Sequence, residues 1–81
     1  SGNSNPSPDY ATRLQEARRT MQQAISFDRS ENPELYLHYG DILAALGEKF
    51  MAETYWRKAL EKGYDDPQAI EERIRQLKSK P

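Results

Sequence analysis

The 81-residue chain contains no cysteine. No disulfide framework can form, and the redox compartment stays open. The single histidine, His38, is not part of an H-E-x-x-H pair, which argues against a dedicated zinc site. The glycines stand alone at turns or a helix crossing and form no phosphate-cradling loop. No apolar run approaches the ~20 residues of a membrane span, so no direct membrane insertion is expected. An excess of one charge is also missing. Twelve Lys and Arg against 13 Asp and Glu leave a formal net charge of −1, so bulk attraction to nucleic acid is not expected. No nucleophile is paired with an oriented base. The neighbouring carboxylates Asp65-Asp66 and Glu71-Glu72 point in different directions along the chain, and Asp65-Asp66 already serves as turn and cap. These absences read as a non-enzymatic chain with no cofactor.

What is present is helical periodicity, and it is clearest from Asn32 to Pro67. Leu35, Tyr36, Tyr39, Gly40, Ile42, Leu43 and Leu46 recur at i, i+3, i+4 and i+7. Gly47 can take positive φ at no steric cost and end that helix. Phe50, Ala52, Tyr55, Trp56, Ala59 and Leu60 make a second stripe, which Gly63 ends in the same way. Two helices joined by so short a turn lie antiparallel and touch. Gly40, Ala52 and Ala59 sit where a Leu would be the default, so the backbones approach closely, and Trp56 fills the space between them as core.

The spacing of Tyr36, Tyr39-Gly40, Leu43, Gly47, Ala52, Trp56 and Ala59 resembles the tetratricopeptide repeat (TPR), a helix hairpin with a period of about 34 residues. HYGDILAALG and AETYWRKAL are similar to the last repeat of many bacterial proteins of that family. Tyr64 stands where the family has its terminal Pro, which here comes at Pro67. The resemblance implies an all-α fold of antiparallel helix-turn-helix repeats stacked as a short α-solenoid. It covers about one and a half units plus a C-terminal capping helix.

The flanks fit that reading. Ala17, Met21 and Ala24 reproduce the spacing of Ala52, Trp56 and Ala59 at an offset of 52 − 17 = 35. The first helix, starting at Ser7-Pro8-Asp9, therefore looks like the second helix of a preceding repeat, with Tyr10, Leu14, Ile25 and Phe27 completing its apolar face. Arg13, Arg18 and Arg19 read as a solvated face. Asn32-Pro33 and Asp66-Pro67 are both cap-plus-proline helix starts, and 67 − 33 = 34 is the repeat period. Ala69, Ile70, Ile74 and Leu77 give the last helix one apolar face. Its acids precede its bases, and Glu71 with Arg75 is an expected i,i+4 pair. Helices are predicted at about 9–28, 33–46, 49–62 and 67–79. Residues 1–8, SGNSNPSP, read as a disordered linker or expression remnant, and the chain as a piece of a longer one.

In the family the first helix of each hairpin lines a concave surface that takes extended peptides or partner helices. Carried over, the resemblance implies partner-binding positions at Glu34, Leu37, His38, Asp41 and Ala45, and at Glu71 and Arg75 of the last helix. Leu37 and Asp41 occupy positions where the family's carboxylate-clamp subset has basic and Asn residues, so that mode of binding is not expected. The function read from the sequence is a non-catalytic interaction module for a protein or peptide partner. The alternative is a terminal capping segment of a longer array that self-associates as a homo-oligomer, with Leu14 and Met21 as the uncovered residues. Compartment is open: cytoplasm and periplasm both fit.

Overall fold

Two helix starts are built alike. The Asn32 side chain accepts the Glu34 amide at 2.9 Å with Pro33 at the first helical position, and Asp66 Oδ1 accepts the Ala69 amide at 3.3 Å with Pro67 following. Two helix ends are also alike. Gly47 and Gly63 take φ of 85° and 88°, the left-handed region that L side chains avoid. At the first, the Gly47 amide reaches Ala44 O and the Glu48 amide reaches Leu43 O. At the second, the Gly63 amide reaches Leu60 O and the Tyr64 amide reaches Ala59 O. This double bond pattern is a Schellman closure, which satisfies the last carbonyls of each helix.

The computed structural model describes residues 6–28 and 30–79. These residues form four helices: α1 (Pro6–Phe27), α2 (Pro33–Ala45), α3 (Lys49–Glu61) and α4 (Pro67–Ser79). There is no strand among the described residues. The helix at the start is longer than expected. α1 begins at Pro6, so residues 6–8 belong to it and not to a linker; residues 1–5 lie outside the described residues. Each helix packs on the next in chain order. The Cα radius of gyration is 14.3 Å with extents of 48 × 34 × 18 Å. A compact domain of this length would have a radius near ~12 Å, so the row is drawn out.

The core forms where α2, α3 and α4 meet. Tyr36, Leu37, Tyr39 and Leu43 come from α2, Ala52, Trp56 and Ala59 from α3, and Ile70 and Ile74 from α4. Gly40 explains the close α2–α3 approach. A Cβ there would overlap the Trp56 indole and come within 3.1 Å of the Ala52 carbonyl oxygen. Tyr55 covers the opposite edge, its ring 4.6 Å from that of Tyr39 in an edge-to-face arrangement.

α1 joins through Met21 and Ile25, which pack against this core, and through polar contacts at half-buried positions. Gln22 Nε2 donates to Tyr39 Oη at 2.9 Å, and Arg18 Nη1 donates to Glu48 Oε2 at 3.0 Å. The Tyr39 hydroxyl, then Glu48, holds the Arg18 guanidinium above its ordinary pKa. These pairs fix α1 antiparallel to α2. At 1.5 Å per residue α1 is about 33 Å long and α2 about 20 Å, so the N-terminal turns of α1 overhang. Tyr10, on that overhang, is 58% exposed, while Leu14 is half-buried. Met21, expected to lack cover, has it from its own chain.

Two aromatic residues assigned to apolar faces point outward. Phe50 is 82% exposed and Phe27 81%. Phe50 lies two residues before Ala52, about 200° around the helix from it, so it faces away from α2. Phe27 closes α1 about 240° around from Met21. The expected Glu71–Arg75 pair is replaced by Arg75 with Glu72, one residue closer; Gln76 Nε2 also donates to Glu72.

The interhelix turns are held by exposed carboxylates. Asp28 accepts the Ser30 hydroxyl at 2.6 Å and the Asn32 amide at 2.7 Å, which holds its pKa below the ordinary 3.8. Glu31, at φ 56°, pairs with Lys62 across the α3 end. Lys62 keeps the Glu31 carboxyl below its ordinary 4.5. Arg57 and then Lys78 do so for Glu53, and Arg75 and then Gln76 for Glu72. A carboxylate depressed on folding contributes stability that is complete above its unfolded pKa and lost as pH falls through its folded one. Thermal melts followed by circular dichroism should therefore hold a flat midpoint from neutral pH down to about pH 5 and fall below about pH 4. The steps from Glu31 and Glu72 should be modest because both are about half exposed and their pairs are screened by solvent.

Candidate functional site

The open face between α2 and α4 is set by a single carboxylate. Asp41 Oδ1 accepts the Trp56 indole N–H at 3.0 Å from α3 and the Arg73 Nε–H at 2.9 Å from α4. Arg73 Nη2 also donates to Asp41 Oδ2 at 3.3 Å, completing a two-point fork. Arg73 Nη1 reaches Ala69 O at 3.3 Å, which steadies the guanidinium along α4. One α2 residue thus ties three helices together.

This arrangement re-sorts the residues that the sequence pointed to. Glu34, His38 and Ala45 do lie exposed along one line of α2. Asp41 sits between them but is half-buried, and its oxygens are spent on Trp56 and Arg73. Leu37 is not on the open face. It is 3% exposed and belongs to the same buried cluster as Ile70 and Ile74. Its burial has a plain cause: α2 is packed by α1 and α3 and is also reached from α4 by Arg73, so its apolar surface is wider than the stripe facing α3 alone.

Glu71 and Arg75 are exposed but do not join the α2 face. Lys78 reaches Glu53 of α3 at 3.3 Å, which marks the α3-facing flank of α4. Glu71 is seven residues before Lys78, within about 20° of it around the helix, so it shares that flank. Arg75 is about 160° around from Arg73, the residue that does face α2. The α4 residues on the open side are Arg73 and Gln76. The sequence reading grouped Arg73 with a basic tail that matched the helix dipole. The signal available for it was its place beside Ile70 and Ile74, at the edge of the apolar stripe.

Where the C-terminal ends of α2 and α4 meet the start of α3, the face deepens into an open hollow of about 380 Å³. Ala44, Lys49, Trp56, Arg73, Gln76 and Leu77 line it. Its floor is apolar and its rim polar, the composition of a side-chain receptacle. A second depression, of about 510 Å³, runs along the polar side of α1 from Thr12 to Gln22. All its lining residues come from that one helix, so it brings no groups together from different elements.

Asp41 can be tested directly. Asp41→Ala should cost about 1–2 kcal/mol, since it strips the buried indole N–H of its acceptor and leaves Arg73 unpaired at a half-exposed site. Asp41→Asn, which keeps an acceptor for Trp56, should cost less. Equal urea midpoints for Asp41→Ala and the native chain would remove this carboxylate from the architecture.

Among the described residues no group of three or more His, Cys, Asp and Glu is placed to hold a metal ion, and no helix is long and apolar enough to cross a membrane. No family model, curated protein or solved structure matches this chain.

Proposed function

We propose that the chain is a non-catalytic protein-interaction module, a short stack of TPR-type helix hairpins that holds a partner segment along the face shared by α2 and α4. The observation that carries this reading is the fork between Asp41 and Arg73. Asp41 stands 41 − 33 = 8 residues beyond Pro33, and Arg73 stands 73 − 67 = 6 beyond Pro67. The fork therefore joins positions two residues apart in register on two helices with the same cap, and it holds α2 and α4 side by side. Both run antiparallel to α3, so they line one open side together. The two Schellman-closed hairpin ends and the Gly40–Trp56 crossing are further support, because they give the chain a repeated unit with one face left uncovered.

The test is selection from a random peptide display library against the whole chain, followed by amide chemical-shift mapping of the selected peptides. Shifts should concentrate at Glu34, His38, Ala45, Arg73 and Gln76. Peptides that instead shift the outward side of α1, or a library that yields no binder, would overturn the assignment.

One observation favours a second reading, a capping segment of a longer array that self-associates. The α1 overhang carries Tyr10 exposed and leads into the half-buried Leu14. On that reading sedimentation shows a dimer dissociating on dilution, and Leu14→Glu abolishes it. A monomer at all concentrations would exclude it.

A further inference from the structure

The hollow between α2, α3 and α4 carries an uneven charge. Its six lining residues include two cations, Lys49 and Arg73, and no carboxylate. Arg73 is taken by Asp41. Lys49, exposed at the first position of α3, has no ion-pair partner among the described residues. Lys49 lines the hollow together with Ala44, Leu77 and Trp56. Exposed apolar surface beside an unmatched cation is complementary to an apolar side chain with a carboxylate close by. A basic segment would meet Lys49 and Arg73 with like charge. Lys49 is on α3, apart from the α2 and α4 residues that define the open face.

We infer that the hollow is a selective subsite for an acidic peptide segment: an apolar side chain enters between Ala44, Trp56 and Leu77, and a carboxylate about one helical turn from it pairs with Lys49. This rests on the α2/α4 face being the binding surface. Within that face it names the chemistry of the partner and the residue that reads it.

Trp56 is the only tryptophan, and it lines the hollow with its N–H held by Asp41, so its emission reports occupancy. Three blocked peptides would be titrated into the whole chain, identical except for Glu, Gln or Lys one turn from a single Leu. The Glu peptide should shift Trp56 emission at about fivefold lower concentration than the Gln peptide, with the Lys peptide weakest. Lys49→Glu should invert that order, and Lys49→Gln should level it. Lys49 is exposed and outside the core, so both variants should keep the native melting curve. Binding with no dependence on peptide charge, or an order unchanged in Lys49→Glu, would overturn the subsite and leave the α2/α4 face standing. No response to any peptide would overturn both. Emission that changes when the protein alone is diluted would assign the hollow to a second copy of the chain and overturn the acidic-segment inference.

Discussion

Trp56→Ala should lower the free energy of unfolding by about 3–5 kcal/mol, the usual cost of deleting a buried aromatic side chain. Three features place it toward the upper end. Trp56 is 4% exposed and lies at the meeting point of α2, α3 and α4. Its ring fills the space that Gly40 leaves, so the cavity cannot close without moving two helix backbones. Its N–H is also one of the groups that fix Asp41. A chain of this size holds a total stability of only about 5–15 kcal/mol, and each kcal/mol moves the melting midpoint by about 4–8 °C. Differential scanning calorimetry should therefore find Trp56→Ala melted or nearly so near physiological temperature. Trp56→Phe keeps a ring and loses the N–H. It should fall between Trp56→Ala and the native chain, and the difference apportions packing and hydrogen bonding. A Trp56→Ala midpoint within a few degrees of native would mean that the three-helix junction is not the source of stability.

Gly40→Ala is the second large effect, and its sign is the informative part. In an exposed helix interior, Gly→Ala gains about 0.5–1 kcal/mol through backbone entropy. Here the added Cβ would overlap Cδ1 and Nε1 of Trp56. The indole cannot swing aside freely, because it is buried and bonded to Asp41. Overpacking of this kind costs about 1–3 kcal/mol, which outweighs the propensity gain and makes the change destabilising. Gly40→Leu should be worse. The double variant Gly40→Ala with Trp56→Phe should recover part of the loss, since the two side chains share one space. Urea denaturation of the four chains measures that coupling. A stabilising Gly40→Ala would refute the close approach of α2 and α3.

Arg73 shows where inference from the chain alone stops. In sequence it is one of several bases following Glu71 and Glu72, and dipole matching accounts for them all equally well. In the structure it alone reaches back 32 residues to Asp41. Glu71, two positions earlier, turns to the other flank and is lost to the open face. Two residues are about 200° of helix, and nothing local to α4 says which side meets α2. Leu37 and Asp41 changed roles for the same reason. Each was judged by the stripe facing α3, whereas Leu37 is buried in one cluster with Ile70 and Ile74 and Asp41 is engaged by Arg73.

The sequence by itself determined whatever is enforced within one turn of backbone. That includes the Asn32-Pro33 and Asp66-Pro67 starts, the positive-φ glycines that close α2 and α3, and the four helices to within a few residues at their ends. It also determined that Gly40, Ala52 and Ala59 mark a close crossing with Trp56 as its filler, because steric size at helical spacing is a local signal. Only the tertiary structure decided how far each helix is rotated against the next. That rotation depends on packing summed over several side chains at once. It set which residues of α2 remain open, that Arg73 and Gln76 rather than Glu71 and Arg75 stand beside them, that Lys49 borders a hollow, and that Phe27 and Phe50 face water.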